Sequence, residues 1–179
     1  MTTMTTQTLT QEQVLVTTGW ASKHLHDEGI RFVEVDVDTE AYNSGHLPGA
    51  VGWNWKKQLQ DPVQRTVASE EDFQQLLRDS GISNDTTIVL YGDNNNWFAA
   101  WAYWLLKYYG HKDARILDGG RKKWEAENRK LTEEVPEYSA GDYTIKTIND
   151  SFRAYRSDIA EKLGDNAFGM VDVRSPEEF

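Results

Sequence analysis

The residues best placed to do chemistry are Gly92, Asp93, Asn94, Asn95 and Asn96, followed by Trp97. Before them runs the apolar, β-branched stretch Ile88-Val89-Leu90-Tyr91, and after them the almost wholly apolar stretch 97–106. A strand, a tight polar loop and a helix N-terminus together make a cradle of backbone N–H donors suited to an anion or a nucleophile. Yet the loop contains no Cys, Ser, Lys or Arg. Gly92 permits positive φ, and the three asparagines tolerate left-handed conformations and cap helices well. Asp93 changes the chemistry. Its carboxylate is expected to accept the N–H bonds that a bound anion would take, and to repel an incoming dianion. Asp93 as a nucleophile would need a general acid, a metal or an electropositive pocket. Lys107 lies far down the helix and the loop has no Arg, so the loop reads as a self-filled, non-catalytic cradle.

The remaining polar candidates favour structural roles. His24 and His26 are two apart on an expected helix, so their side chains diverge and do not share a metal. His46 opens a turn and His111 follows the helix-ending Gly110; both are expected to be hydrogen-bonded structural imidazoles. No His–carboxylate pair has metal-ligand spacing, so neither a metal nor another cofactor is expected. Asp36 and Asp38 sit at the end of a strand, where each is expected to cap the next turn. Arg121, after Gly119 and Gly120, is expected to pair with a neighbouring carboxylate.

The elements that must position these residues follow from periodicity and punctuation. Residues 14–16 read as a short strand, followed by a helix capped by Thr17 or Thr18, containing Trp20, Ala21 and Leu25 and ended by Gly29. Residues 31–37 read as a strand, and 46–55 as a Pro-Gly turn leading into another. Ser69 and Asp72 resemble a capping box for a helix with Phe73, Leu76 and Leu77 on one face, and Gly81 lies just past its end. Strands are expected at 86–91 and 114–118, with helices after each. Strands alternating with helices predict an α/β domain: a central parallel sheet of about five strands with helices on both faces. Ligands in such sheets sit beyond the carboxyl ends of the strands, where the 92–96 loop falls. In the helix from Trp97, one stripe is Trp97, Trp101, Trp104 and Tyr108, and another is Phe98, Leu105 and Tyr109. One is expected to cover the sheet and the other to need a lid.

Composition sets outer bounds. The chain has 179 residues, 39% hydrophobic, with seven Trp, enough for one cored domain and a remainder. A formal net charge of −10 argues against nucleic-acid or anionic-membrane partners. The absence of Cys removes disulfides, thiolate metal sites and cysteine nucleophiles from this chain. Residues 1–13, rich in Thr and Gln, are expected to be a disordered tail rather than a secretory signal. The longest apolar run falls short of the ~18–20 residues that span a bilayer, so a cytoplasmic location is the default.

After residue 130 the character changes. Residues 133–144 are acidic, contain Pro and Gly, and read as a linker. Then Ser157–Leu163 reads as helix and 168–173 as strand. The segment VDVDTEAY begins at Val35 and VDVRSPEEF at Val171, 136 residues apart, each after a short amphipathic helix. An offset of domain size points to tandem duplication. Residues 145–179 are then the truncated start of a second domain, expected to be loosely held because a lone helix and strand bury too little.

The stretches FVEVDVDTEAYNSGHLPGAVGWNW, IVLYGDNNNWFAAWAYWLLKYYGH and ARILDGGRKKWEAENRKLT resemble the N-terminal domain of tandem-domain rhodaneses, the thiosulfate sulfurtransferases. The resemblance covers residues 14–132, and 171–179 are similar to the start of that family's second domain. It implies a rhodanese-like three-layer fold. In that family the second domain carries a Cys that takes sulfane sulfur from thiosulfate as a persulfide and passes it to cyanide or another thiophilic acceptor. The first domain lacks the Cys. Gly92 or Asp93 stands at the nucleophile position here, and Arg174 matches the arginine that contacts the thiosulfate anion. The implied partners are the second domain of the same parent chain and, in the parent enzyme, a thiosulfate-type anion. This chain alone is expected not to turn over. The alternative is a stand-alone rhodanese-like module that docks a protein or a small anion.

Overall fold

The structure is a computed structural model that describes residues 14–61, 63–64, 66–173 and 175. The tail expected over 1–13 lies outside the described residues. Five strands, β1 (Leu15–Val16), β2 (Ile30–Asp36), β3 (Val51–Asn54), β4 (Thr87–Tyr91) and β5 (Ala114–Leu117), form one sheet in the order β1-β5-β4-β2-β3. Every neighbouring pair is parallel. Between and after the strands run α1 (Thr18–Ala21), α2 (Glu40–Ser44), α3 (Trp55–Gln58), α4 (Glu70–Asp79), α5 (Trp97–Tyr108), α6 (Gly120–Ala126) and α7 (Arg156–Lys162).

Side chains alternate across each strand. Val33, Val35, Ile88 and Leu90 point to one face, onto Phe73 and Leu77 of α4 and Ala99, Ala102, Leu105 and Leu106 of α5. Phe32, Val89 and Tyr91 point to the other, with Ala21 of α1 and Trp124 of α6. The expected three layers are present, with apolar cover on both faces as a parallel sheet requires. Helix α4 starts as its sequence dictates: the Ser69 hydroxyl accepts the Asp72 N–H at 3.1 Å. Gly81, at φ +67°, turns the chain out of it. No helix among the described residues is long and apolar enough to cross a membrane.

Three expectations are corrected. Helix α1 does not run through Leu25 to Gly29: after Ala21 the amides of Lys23 and His24 bond only three residues back, and the chain winds into turns. Residues 168–173 form no strand. Val171 and Val173 are 86% and 89% exposed. In α5 neither of the two expected stripes covers the sheet as a whole. Ala99, Ala102, Leu105 and Leu106 do, because small residues let the helix approach closely, and Trp97 is left 63% exposed.

Residues 133–149 contain neither helix nor strand, and they are bound along the domain as a strap. An antiparallel bridge between His46 and Thr132 leads into it. The Arg31 guanidinium lies 3.2 Å from the Tyr138 ring centroid, and the Tyr138 hydroxyl donates to Gly49 O at 2.7 Å. Arg78 Nε donates to Tyr143 O, and Asn84 exchanges two hydrogen bonds with Thr144. Tyr143 is 1% exposed and completes the α4–α5 core. His111 Nε2 faces the Thr86 carbonyl at 3.1 Å and must carry the hydrogen there, which leaves Nδ1 to accept from the Tyr143 hydroxyl. Burial pushes the His111 pKa down to about 4, which keeps this neutral arrangement. Beyond Arg153 the described residues are exposed, α7 included.

Candidate functional site

The loop 92–96 leaves the carboxyl end of β4 between β2 and β5. A Cβ on Gly92 would lie 2.5 Å from Val35 O and 2.7 Å from Asp36 Oδ1, so only glycine fits there. Of the two positions the sequence left open, Asp93 alone has room for a side chain, and it is exposed. Gly120, at φ +55°, brings α6 onto the loop: a Cβ there would meet Asn96 Oδ1 at 2.3 Å, and the Arg121 N–H donates to Gly92 O at 3.1 Å.

Several of the loop donors are occupied from within. The Asp93 N–H donates to Asp36 Oδ1 at 2.9 Å, and the Gly92 N–H to Asn96 Oδ1 at 3.0 Å. The Asn95 and Trp97 amides donate to Asp93 O and Asn94 O. Asn95 and Asn96 are left-handed, as their residue type allows. Asn96 does not cap α5 with its side chain; it spans the loop and donates to Leu117 O at 2.7 Å, fixing loop to β5. The expectation that Asp93 itself fills the cradle is therefore corrected. Asp36, Asn96 and loop carbonyls fill it, because Asp93 points outward while Asp36 rises from the adjacent strand.

Beneath the loop lies a buried polar group. Phe32, Glu34 and Asp36 share one face of β2, and the register sets Glu34 beside Tyr91. Glu34 is 1% exposed and Asp36 3%. Arg121 donates to Glu34 Oε1 at 2.7 Å and to Glu125 Oε1 at 2.9 Å, the carboxylate pairing expected of it. Burial raises the Glu34 pKa. Burial, with the carboxyls of Asp93 and Glu34 close by, pushes Asp36 up to about 8. Asp36 thus does not cap the following turn as expected; Asp38 does, accepting the Glu40 N–H at 3.0 Å. Sequence reasoning did not single out Glu34, although a charged residue at the centre of a strand buried on both faces marks a buried pair.

Beside the loop, aromatic rings continue along α5. Trp55 lies 5.1 Å from Phe98 and 6.0 Å from Trp101, and Trp101 lies 5.7 Å from Trp104. The Trp104 indole donates to Phe152 O at 2.7 Å, so the chain after the strap partly lids this face. His24 sits 2.6 Å from Asp27 and stacks on Trp20; His46 is fully buried, its ring nitrogens facing Tyr42 O and Glu134 O. Arg174 lies outside the described residues. Two larger concavities lie away from this loop, and neither is lined by a residue of 92–97. One of about 920 Å³ is lined by Asn84, His111, Asp113 and Lys146, and another of about 690 Å³ by Leu25, Gly49, Trp124 and Lys130. Among the described residues no cluster of His, Asp and Glu could hold a metal ion.

Comparison with known proteins places this geometry. The family model of the rhodanese-like domain matches residues 17–127. The "Putative thiosulfate sulfurtransferase" of Saccharopolyspora erythraea is 50% identical over 171 residues, covering 96% of this chain and 60% of that protein. The sulfur carrier protein TtuD of Thermus thermophilus is 50% identical over 170 residues, covering 93% and 60%. The chain thus spans about 60% of the length of the curated relatives it matches. Among solved structures, the 3-mercaptopyruvate sulfotransferase SseA of Escherichia coli superimposes with a TM-score of 0.81 at 23% identity, over 92% of this chain and 66% of that one. That likeness speaks to fold.

Proposed function

Because the chain belongs to the rhodanese-like domain family, we propose that residues 14–132 are the non-catalytic domain of a two-domain thiosulfate sulfurtransferase. In the parent enzyme a Cys persulfide on a second domain carries sulfane sulfur from thiosulfate to cyanide or another thiophilic acceptor. This domain would shape and cover that cleft. The observation that carries the reading is the loop 92–96: the N–H groups of Gly92, Asp93 and Asn95 are spent on Asn96, Asp36 and a loop carbonyl, and the position with room for a side chain holds the exposed Asp93. A persulfide needs a sulfur, and this loop supplies none. The exposed Ile159, Leu163, Phe168, Val171 and Val173 after the strap offer apolar surface that a second domain would cover. Arg174 would then belong to the anion site of that second domain.

The test is a thiosulfate–cyanide assay with thiocyanate as readout. The chain alone is expected to give no product above the uncatalysed background. A relative's Cys-bearing second domain, fused after residue 179, is expected to restore turnover. Turnover by the chain alone overturns the reading.

A further inference from the structure

The concavity of about 690 Å³ has the size of a small-molecule site, roughly 300–1,000 Å³. Its apolar walls come from separate stretches of chain: Leu25 after α1, Pro48 before β3, Trp124 of α6 and Pro136 of the strap. Leu25 and Trp124 also pack in the core on that face of the sheet, so the walls are anchored. Gly49, on the same lining, is held at φ +77° with its carbonyl taken by the Tyr138 hydroxyl at 2.7 Å. The strap therefore completes this concavity as well as the core. The charges on it run against the chain's net charge of −10. Arg129 and Lys130 line it, with a single carboxylate, that of the exposed Glu134. Arg129 gives only its Nε to Glu127, at 2.6 Å, and its guanidinium carbon lies 5.2 Å from the Trp124 ring centroid. Among the described residues neither its two terminal nitrogens nor the exposed Lys130 ammonium has an acceptor.

We propose that this concavity is a binding site for a small organic acid, a single carboxylate carried on an apolar body. The carboxylate is taken by the terminal nitrogens of Arg129, whose paired N–H groups match its two oxygens, with the Lys130 ammonium as a second cation. The body lies against Leu25, Pro48 and Pro136, where leaving water is favourable. A bare inorganic anion gains nothing from those walls. Glu134 on the same lining also repels a dianion more than it repels one carboxylate. The site shares no residue with the loop 92–96 and does not depend on whether that loop is catalytic.

The experiment is a titration of the full chain followed by proton–nitrogen NMR. The reporters are the Gly49 amide and the Trp124 indole N–H, which donates to Lys130 O at 3.1 Å. Benzoate is the probe; benzylammonium, with the same ring and the opposite charge, and inorganic phosphate, an anion with no apolar body, are the controls at equal ionic strength. Benzoate is expected to shift both reporters saturably and to leave the amides of 92–96 in place. Neither control is expected to saturate. K130E, at an exposed position, is expected to keep the thermal midpoint and to weaken benzoate by about tenfold, as reversing one binding charge does. R129Q is expected to weaken it at least as much, and K130E decides the matter where R129Q loses stability with its Trp124 contact. Benzoate that fails to saturate at tens of millimolar overturns the proposal. So does benzylammonium or phosphate binding as tightly as benzoate, or undiminished benzoate binding in K130E.

Discussion

Asp36 ionises against burial and two neighbouring carboxyls, and that makes the domain's stability depend on pH. Its folded-state pKa is about 8, whereas an unfolded Asp titrates near ~3.9. Between those values the folded chain binds more protons than the unfolded one, so stability falls as pH rises, by up to ~1.4 kcal/mol per pH unit. D36N is expected to flatten this slope, as urea unfolding across a pH series would read. An unchanged slope would mean that Asp36 titrates normally. Arg121 answers to a different force. Its partner Glu34 has a fully buried side chain, so R121M strands a charge in the core and is expected to cost ~3–5 kcal/mol. The double variant R121M/E34Q should recover part of that loss in the same unfolding experiment.

At the scale of elements, the strap is the least conventional part. It has no regular structure, but Tyr138 closes over Arg31, Tyr143 fills the core beside His111, and Ile145 and Ile148 pack behind it. Losing one fully buried aromatic ring costs ~3–5 kcal/mol, a large share of a small domain's stability. A chain ending at Thr132 is therefore expected to lose cooperative thermal unfolding by circular dichroism, although the family match ends at residue 127. Cooperative unfolding at an unchanged midpoint would show the strap to be dispensable. The composition of 133–144 could not reveal this. Its acidic residues face water while two tyrosines spaced five apart carry the packing, a pattern with neither helical nor strand period.

For the whole molecule, burial of the described residues against the domain ends near Arg153, whose guanidinium donates to Thr66 Oγ1 at 2.6 Å. Beyond it, Tyr155, Ile159, Leu163, Phe168, Met170, Val171 and Val173 are 41–89% exposed. Removing residues 154–179 is expected to change unfolding free energy by less than about 0.5 kcal/mol, as for exposed positions generally. It should also lower the binding of a hydrophobic dye. A large loss of stability would instead mean that this segment packs on the domain.

Much of the molecule was readable from residue order alone. The five parallel strands, the capped α4 and the glycine-ended α5 follow from periodicity and punctuation, which act over a few residues. So does the absence of a sulfur nucleophile, since no fold can supply a missing Cys. What the chain order could not show was which groups meet across strands. Gly92 is confined by Val35 O and Asp36, its N–H is taken by Asn96, and the Asp93 N–H is taken by Asp36 from fifty-seven residues away. Such contacts depend on strand register, and a shift of one residue would turn Glu34 and Asp36 to the opposite face and empty the site.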